Sequence, residues 1–289
     1  MTNDALRRVS ASERQHVFPP PLERHYRVHD SRVQTRSLEA HVVDHCNLTC
    51  AGCCSFSPLL PAWFASPDSV AEDVHKAAKV LKPRVFKLVG GEPLLHPQLG
   101  EMIRCVRESR IAPTLSVTTN GLKLHEMPDT FWQAVDALTI SLYRRPRLSS
   151  ALITHIEMQA RRFGVHVTWK VQDVFTTLDR AHACTDLDET RRIYHDCWLR
   201  ERCHMIRDGM FYTCTRPPHF HTLYKGTVDF QADGLPLRDD NSMLDALLAY
   251  LQRETPLTTC LHCLGGNAPV APHRVMKRTE VERLKARYP

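Results

Sequence analysis

The sequence predicts an α/β protein: a parallel sheet wound partway into a barrel, a partial (β/α)6 TIM-like arrangement, followed by a smaller module of β-hairpin and helix. Three observations predict it. Short apolar strand candidates alternate with helical segments from residue 39 to about residue 175, and repeated β–α units pair as parallel strands. Five to six such units fit before about residue 190, short of the eight of a full barrel. The alternation then stops near residue 195. The expected boundaries are an arm at 1–38, the partial barrel at 39–190, the C-terminal module at 191–270 and a helical tail at 271–289.

Each element has its own signal. Residues 1–38 are polar and arginine-rich and hold the Phe18-Pro19-Pro20-Pro21 break, which reads as an extended arm. Ala40-His41-Val42-Val43-Asp44 reads as a short buried strand. A helix over 66–81 is predicted by Ser66 as cap, Pro67 in the first helical position and Asp68 at the positive end of the dipole. Its apolar residues recur at Val70, Val74, Ala77, Ala78 and Leu81. Strand 84–89 ends at Gly90-Gly91, helix 99–109 follows, and strand 114–119 ends at Asn120-Gly121. A helix through 131–134, a strand at 137–142, a helix at 149–163 and a strand at 165–171 continue the pattern. Beyond it, residues 205–213 read as a hairpin turning at Asp208-Gly209. Residues 241–251 and 277–288 read as helices.

Composition narrows the class. At 289 residues and 43% hydrophobic, the chain can bury a substantial core. The net charge of +6 is a mild bias that ordinary surface charge explains; it suits a site for an anionic group and does not establish nucleic-acid binding. No stretch approaches the ~18 consecutive apolar residues of a membrane helix, and the first residues lack the apolar core of a signal peptide. A cytoplasmic protein with no membrane or nucleic-acid partner is expected. In that reducing setting, eleven cysteines point to metal or redox chemistry rather than disulfides. Cys105 and Cys184 stand alone and read as small buried hydrophobes.

Cys46, Cys50 and Cys53 directly follow the first strand, on the face where α/β barrels carry their chemistry. Three thiolates on one loop suit three corners of a 4Fe–4S cubane and leave the fourth iron open. A zinc site completed by Cys54 or His45 is the competing reading, although adjacent Cys53 and Cys54 do not easily serve one ion. Spacing alone does not separate the two.

Context does. The CxxxCxxC loop after a first strand resembles the signature of the radical S-adenosylmethionine (SAM) superfamily, and further features follow in the family's order. Gly90-Gly91-Glu92-Pro93 ends the second strand and resembles the family's GGE motif, which holds the amino group of SAM; glycines allow close main-chain approach and a carboxylate suits an ammonium. Thr119-Asn120-Gly121 ends the third strand as a similar motif does in many members. Ser141, and less specifically Lys170, fall where the family contacts SAM. Many members carry an aromatic residue before the third cysteine; here it is Gly52, and Phe56 is the candidate for the adenine face. The resemblance spans roughly residues 40–175. It implies a SAM-binding 4Fe–4S cluster, reductive cleavage of SAM to a 5′-deoxyadenosyl radical, a small-molecule substrate, and an external donor such as flavodoxin or ferredoxin.

The later cysteines resemble a further part of that superfamily. Cys197 before the hairpin, Cys214 after it and a distant Cys260-Leu261-His262-Cys263 are similar to the shortened auxiliary-cluster module, called twitch, of aminocyclitol dehydrogenases from antibiotic pathways. The resemblance implies that Cys197, Cys214, Cys260 and Cys263 hold a second, fully ligated 4Fe–4S cluster. No cysteine follows Cys263, so one auxiliary cluster is expected. Cys203 either replaces Cys197 as ligand or acts as a thiol hydrogen donor. A four-cysteine zinc site is the competing reading.

Four functions are weighed. A dehydrogenase oxidising a sugar or aminocyclitol by two electrons fits a single auxiliary cluster. An epimerase needs a thiol hydrogen donor, for which Cys54, Cys203 and Cys184 are candidates. A peptide-modifying enzyme commonly carries a peptide-binding domain, for which the arm is short. A non-catalytic zinc or iron–sulfur protein would have no use for the Gly90–Glu92 motif. His45 and Asp173 are more suited to supporting hydrogen bonds than to acting as the base.

Overall fold

The computed structural model describes residues 26–177, 179, 180 and 182–288. Most of the N-terminal arm, 1–25, lies outside the described residues. Its remainder is not an arm: β1 (Val28–His29) turns into β2 (Arg32–Val43), a strand of 12 residues. The strand starts well before the expected residue 40 because its first half is not an apolar run. Thr35, Ser37, Glu39 and His41 are buried on one face, and Val33 and Leu38 belong to the apolar core.

Four β–α units and a fifth parallel strand follow the sequence pattern closely. After β2 come α1 (Pro67–Val80), β3 (Leu81–Gly90), α2 (Leu99–Ser109), β4 (Thr114–Thr119), α3 (Asp129–Ala134), β5 (Ala137–Leu142), α4 (Ser150–Phe163) and β6 (His166–Val171). Pro67 opens α1 with Asp68 in its first turn, and the Ser149 hydroxyl caps α4 by accepting the Leu152 amide. Strands β2 to β6 lie parallel in sequence order.

The sixth parallel strand is not where a six-unit barrel would carry it. β7 (Val174–Thr176) leaves the sheet and pairs with β11 (Val270–Pro272). The free edge of β2 is taken instead by β8 (Met205–Arg207), which forms a hairpin with β9 (Met210–Tyr212), followed by β10 (Leu235–Pro236). Asp208 and Gly209 both take positive φ, 51° and 80°, as a type I′ hairpin turn requires. The hairpin was legible, but its docking on β2 depends on pairing that no local pattern encodes. The remaining helices are α5 (Leu187–Asp196), α6 (Leu199–Arg202), α7 (Arg216–Leu223), α8 (Met243–Leu251) and α9 (Arg278–Lys285).

Two cores result. Outward-facing Phe86, Leu88, Leu115, Val117, Leu138 and Ile140 pack beneath the helices in the larger one. The alternating positions Glu39, Lys87, Ser116, Thr118, Thr139 and Ser141 give the opposite, concave face of the sheet a polar lining. The smaller core gathers Phe56, Leu60, Leu199, Phe220, Leu223 and Phe230 under the C-terminal module.

Candidate active site

The cysteine loop emerges from the C-terminal end of β2, beside the end of β3. Gly90 and Gly91 are needed there for packing. A Cβ on Gly90 would lie 2.2 Å from the Val43 carbonyl oxygen, and one on Gly91 would lie 2.0 Å from that of His45. The Gly91 and Glu92 amides donate to those same two carbonyls. The close approach therefore joins the two strand ends, a role that the sequence reading assigned to the ligand side.

Glu92 is fully buried, and its carboxylate is held from three directions. Oε1 accepts from the Thr119 hydroxyl at 2.6 Å and the Leu94 amide at 3.1 Å, while Oε2 accepts from the Asn120 amide at 2.7 Å. Burial pushes its pKa up, against the pull of those hydrogen bonds. Asn120 continues the network: its Nδ2 donates to Asn47 Oδ1 at 2.7 Å and lies 3.7 Å from Cys46 Sγ. Three motifs that are distant in sequence thus form one connected site. Asn47 was not singled out from the sequence, since an asparagine after a cysteine carries no signal by itself.

The three loop thiols suit an iron cluster. Burial pushes Cys46 and Cys50 up to about 12, and Cys53 upward too, with further repulsion among the neighbouring cysteines. Such thiols hold their protons near neutral pH, so a metal that binds them must displace those protons. Among the described residues, no three His, Cys, Asp or Glu side chains converge as one metal ion would need.

Other candidates are placed differently. Ser141 and Lys170 lie side by side in register at the ends of β5 and β6. Phe56 is a correction: it is buried in the smaller core, edge-on to Phe220 at 5.2 Å, and its ring is committed to packing. The aromatic side chain beside Gly52 is Phe175 of β7, whose Cβ lies 3.3 Å from where a glycine Cβ would stand. Tyr143, Phe175 and His273 of the C-terminal segment form a three-ring cluster, with His273 stacked on Tyr143 at 4.5 Å and tilted against Phe175 at 5.3 Å, and Tyr143 and Phe175 6.3 Å apart. His45 meets Phe64 edge-on at 4.6 Å, and Asp173 faces Arg144 at 3.4 Å.

Cys197, Cys214, Cys260 and Cys263 line one cavity, with Ile193, Leu199 and Leu257 among its apolar walls. Burial pushes Cys214 up to about 12 and Cys263 up to about 11, and each thiol is further raised by others of the set. The Gly266 amide donates to Cys197 Sγ at 3.2 Å and the Gly265 amide to Cys263 Sγ at 3.3 Å. Gly265-Gly266 went unnoticed in the sequence. A Cβ on Gly266 would strike the Trp198 indole at 2.6 Å, so only glycine lets this turn close.

Cys203 stands apart from that cavity. Its thiol is pushed up by burial first and then by Glu39, and it also feels Lys87, Arg216 and Cys54. Glu39 and Lys87 form an ion pair at 3.0 Å on the concave face. Cys54 is exposed, and Cys184 makes a 3.5 Å contact with Glu189. Between the two cysteine groups lies Arg216, 2% exposed. Its guanidinium donates to the Cys54 carbonyl and also lines the cavity of the four thiols. A buried cation is costly without a counter-charge, and the thiolates of an occupied site would supply one.

Comparison with known proteins agrees with this geometry. Residues 41–143 match the model of the Radical SAM superfamily. That stretch, which holds the three loop cysteines and the Gly90–Glu92 and Thr119–Gly121 motifs, is similar to a radical SAM domain, a superfamily that uses a 4Fe–4S cluster and SAM. Curated relatives include GTP 3′,8-cyclase 2 of Mycobacterium tuberculosis, 33% identical over 121 residues, 40% of this chain and 34% of that protein. GTP 3′,8-cyclase of Streptomyces coelicolor is 31% identical over 143 residues, 47% of this chain and 39% of its own. The chain thus spans well under half the length of these relatives. Among solved structures, BtrN in complex with AdoMet and 2-DOIA overlaps 76% of this chain and 82% of its own, at 13% identity and TM-score 0.44. Streptococcus suis SuiB bound to S-adenosylmethionine overlaps 75% and 69%, at 10% identity and TM-score 0.40. Among the described residues, no helix is long and apolar enough to cross a membrane.

Proposed function

We propose that this protein is a radical SAM oxidoreductase that dehydrogenates a sugar or aminocyclitol, with one auxiliary 4Fe–4S cluster on Cys197, Cys214, Cys260 and Cys263. The observation that carries this reading is the single cavity walled by those four thiols. Four protein ligands leave no iron open to substrate, which suits electron transfer. Cys46, Cys50 and Cys53 hold the first cluster, and Gly90, Gly91, Glu92, Thr119, Asn120, Ser141 and Lys170 form the SAM side. Bound there, these groups supply the 5′-deoxyadenosyl radical that abstracts hydrogen and an acceptor for the second electron. The concave face offers hydroxyls and the Glu39–Lys87 pair, groups that suit a polyhydroxylated substrate. A flavodoxin or ferredoxin in the cytoplasm is the proposed electron source.

Two other readings have support of their own. Cyclisation of GTP is suggested by the names of the curated relatives at 31–33% identity. Epimerisation is suggested by Cys203, a thiol beside a polar face that is not part of the four-thiol set.

The test is anaerobic iron, sulfide and zinc analysis, followed by product assays on aminocyclitols, sugars and GTP. About eight irons per chain are expected, falling to about four in Cys260→Ala with SAM cleavage retained. Cys46→Ala, Cys50→Ala or Cys53→Ala each abolishes release of 5′-deoxyadenosine. One zinc and about four irons would remove the auxiliary acceptor and favour the epimerase.

A further inference from the structure

The C-terminal segment does more than lead into the last helix. After the Cys260–Cys263 turn, the chain pairs β11 with β7 and then crosses the first cysteine loop. The Ala51 amide donates to the Arg274 carbonyl at 2.9 Å, and the Met276 amide donates to the Thr49 carbonyl at 2.8 Å. The Thr49 hydroxyl donates to the Met276 carbonyl at 2.7 Å. Cys50 and Val275 form the bridge between the two segments. Residues 273–276 therefore form a strap across the loop, and the His273 side chain reaches the loop's middle cysteine. Its Nε2 lies 3.2 Å from Cys50 Sγ. The ring is 8% exposed, stacked on Tyr143, and its backbone amide is anchored on the Asp173 carbonyl at 2.8 Å.

We propose that His273 is a positioning residue for the SAM-binding cluster, donating an Nε2–H hydrogen bond to the Cys50 sulfur and so raising the cluster's reduction potential. The donor direction follows from two facts. Iron ligation takes the thiol proton, so Cys50 Sγ then only accepts. Nδ1 has no hydrogen-bond partner, so a proton there would be a buried unsatisfied donor, whereas on Nε2 it is used. A hydrogen bond to a ligand sulfur stabilises the more negative, reduced state of the cluster, and so the potential rises. The strap also fixes the loop. Cys50 is its middle ligand, held to the strap by backbone contacts on both sides, while the outer ligand Cys46 is tethered through Asn120.

The experiment uses the full-length protein with its clusters reconstituted anaerobically. His273→Phe keeps an aromatic ring in the stack and removes the donor; His273→Gln keeps an N–H donor. EPR-monitored redox titration of the SAM-binding cluster, with the auxiliary site silenced by Cys260→Ala, should show a lower potential in His273→Phe. His273→Gln should lie close to the unsubstituted protein, with equal iron content in all three. A second measurement does not depend on the variants folding. Pulsed EPR of the reduced cluster in protein labelled with ¹⁵N-histidine, without SAM, should show a weak histidine nitrogen coupling. An unchanged potential in His273→Phe, or no histidine coupling in the labelled protein, overturns the proposal. If the first cluster fails to assemble even in the unsubstituted protein, it is the cluster assignment that falls.

Discussion

Glu92 shows how one side chain can join motifs that the sequence keeps apart. With one oxygen taken by Thr119 and Leu94 and the other by Asn120, an amide cannot replace the carboxylate. In Glu92→Gln, the NH2 group would face either the Asn120 N–H or the donors at Oε1. SAM affinity should fall about ten- to a hundredfold, the range for losing a charge-assisted hydrogen bond in a buried site, as measured by equilibrium dialysis. At this scale the sequence was most legible where spacing encodes chemistry. Cys46, Cys50 and Cys53 are close in sequence, and one short loop carries all three. Phe56 was misread because a single aromatic residue near the loop says nothing about which way its ring turns. His273 was invisible because it is 223 positions from Cys50.

Among the elements, α2, β4 and β5 run over the residues the periodicity predicted, since each carries a full apolar face. What failed was pairing. β7 and β11 are three residues each and depend on each other, and β8 is held to β2 by only a short register. The hairpin has a second tie, to α1, where buried Asp73 accepts the Gly209 amide at 2.8 Å. Burial raises its pKa from 3.8 to about 7. A carboxyl with a raised native pKa favours the folded state when protonated, so its contribution is full below pH 3.8 and is lost as pH rises to about 7. Stability of the unsubstituted protein should therefore decline across that window relative to a variant that lacks this carboxyl. Asp73→Asn keeps the acceptor oxygen and removes the charge; it should flatten the decline and stabilise the protein at neutral pH, by at most about 4 kcal/mol. Denaturant titrations at several pH values between 4.5 and 8 read this directly.

For the whole molecule, the C-terminal module is docked through a buried ion pair. Asp44, at the end of β2, takes Arg207 of β8 in two bonds of 2.8 and 2.9 Å, and the guanidinium stacks over Trp63 at 3.7 Å. Arg207→Met would strand a buried carboxylate and should cost about 3–5 kcal/mol in denaturant unfolding. Asp44→Asn combined with Arg207→Met should recover part of that loss, because the stranded charge is gone. The fold class was legible from the β–α rhythm. The docking was not, because Asp44 and Arg207 are 163 positions apart and nothing local marks them as partners.

The strap over the first cysteine loop also sets a clock. Thr49 and Met276 are 227 positions apart. A ribosome working at about 5–20 residues per second makes the loop roughly 10 to 45 seconds before it makes the segment that covers it. During that interval the three thiols have neither their cover nor the His273 contact. The nascent chain therefore offers these thiols to assembly factors and oxidants alike, and only the synthesis of residues 273–276 ends that exposure.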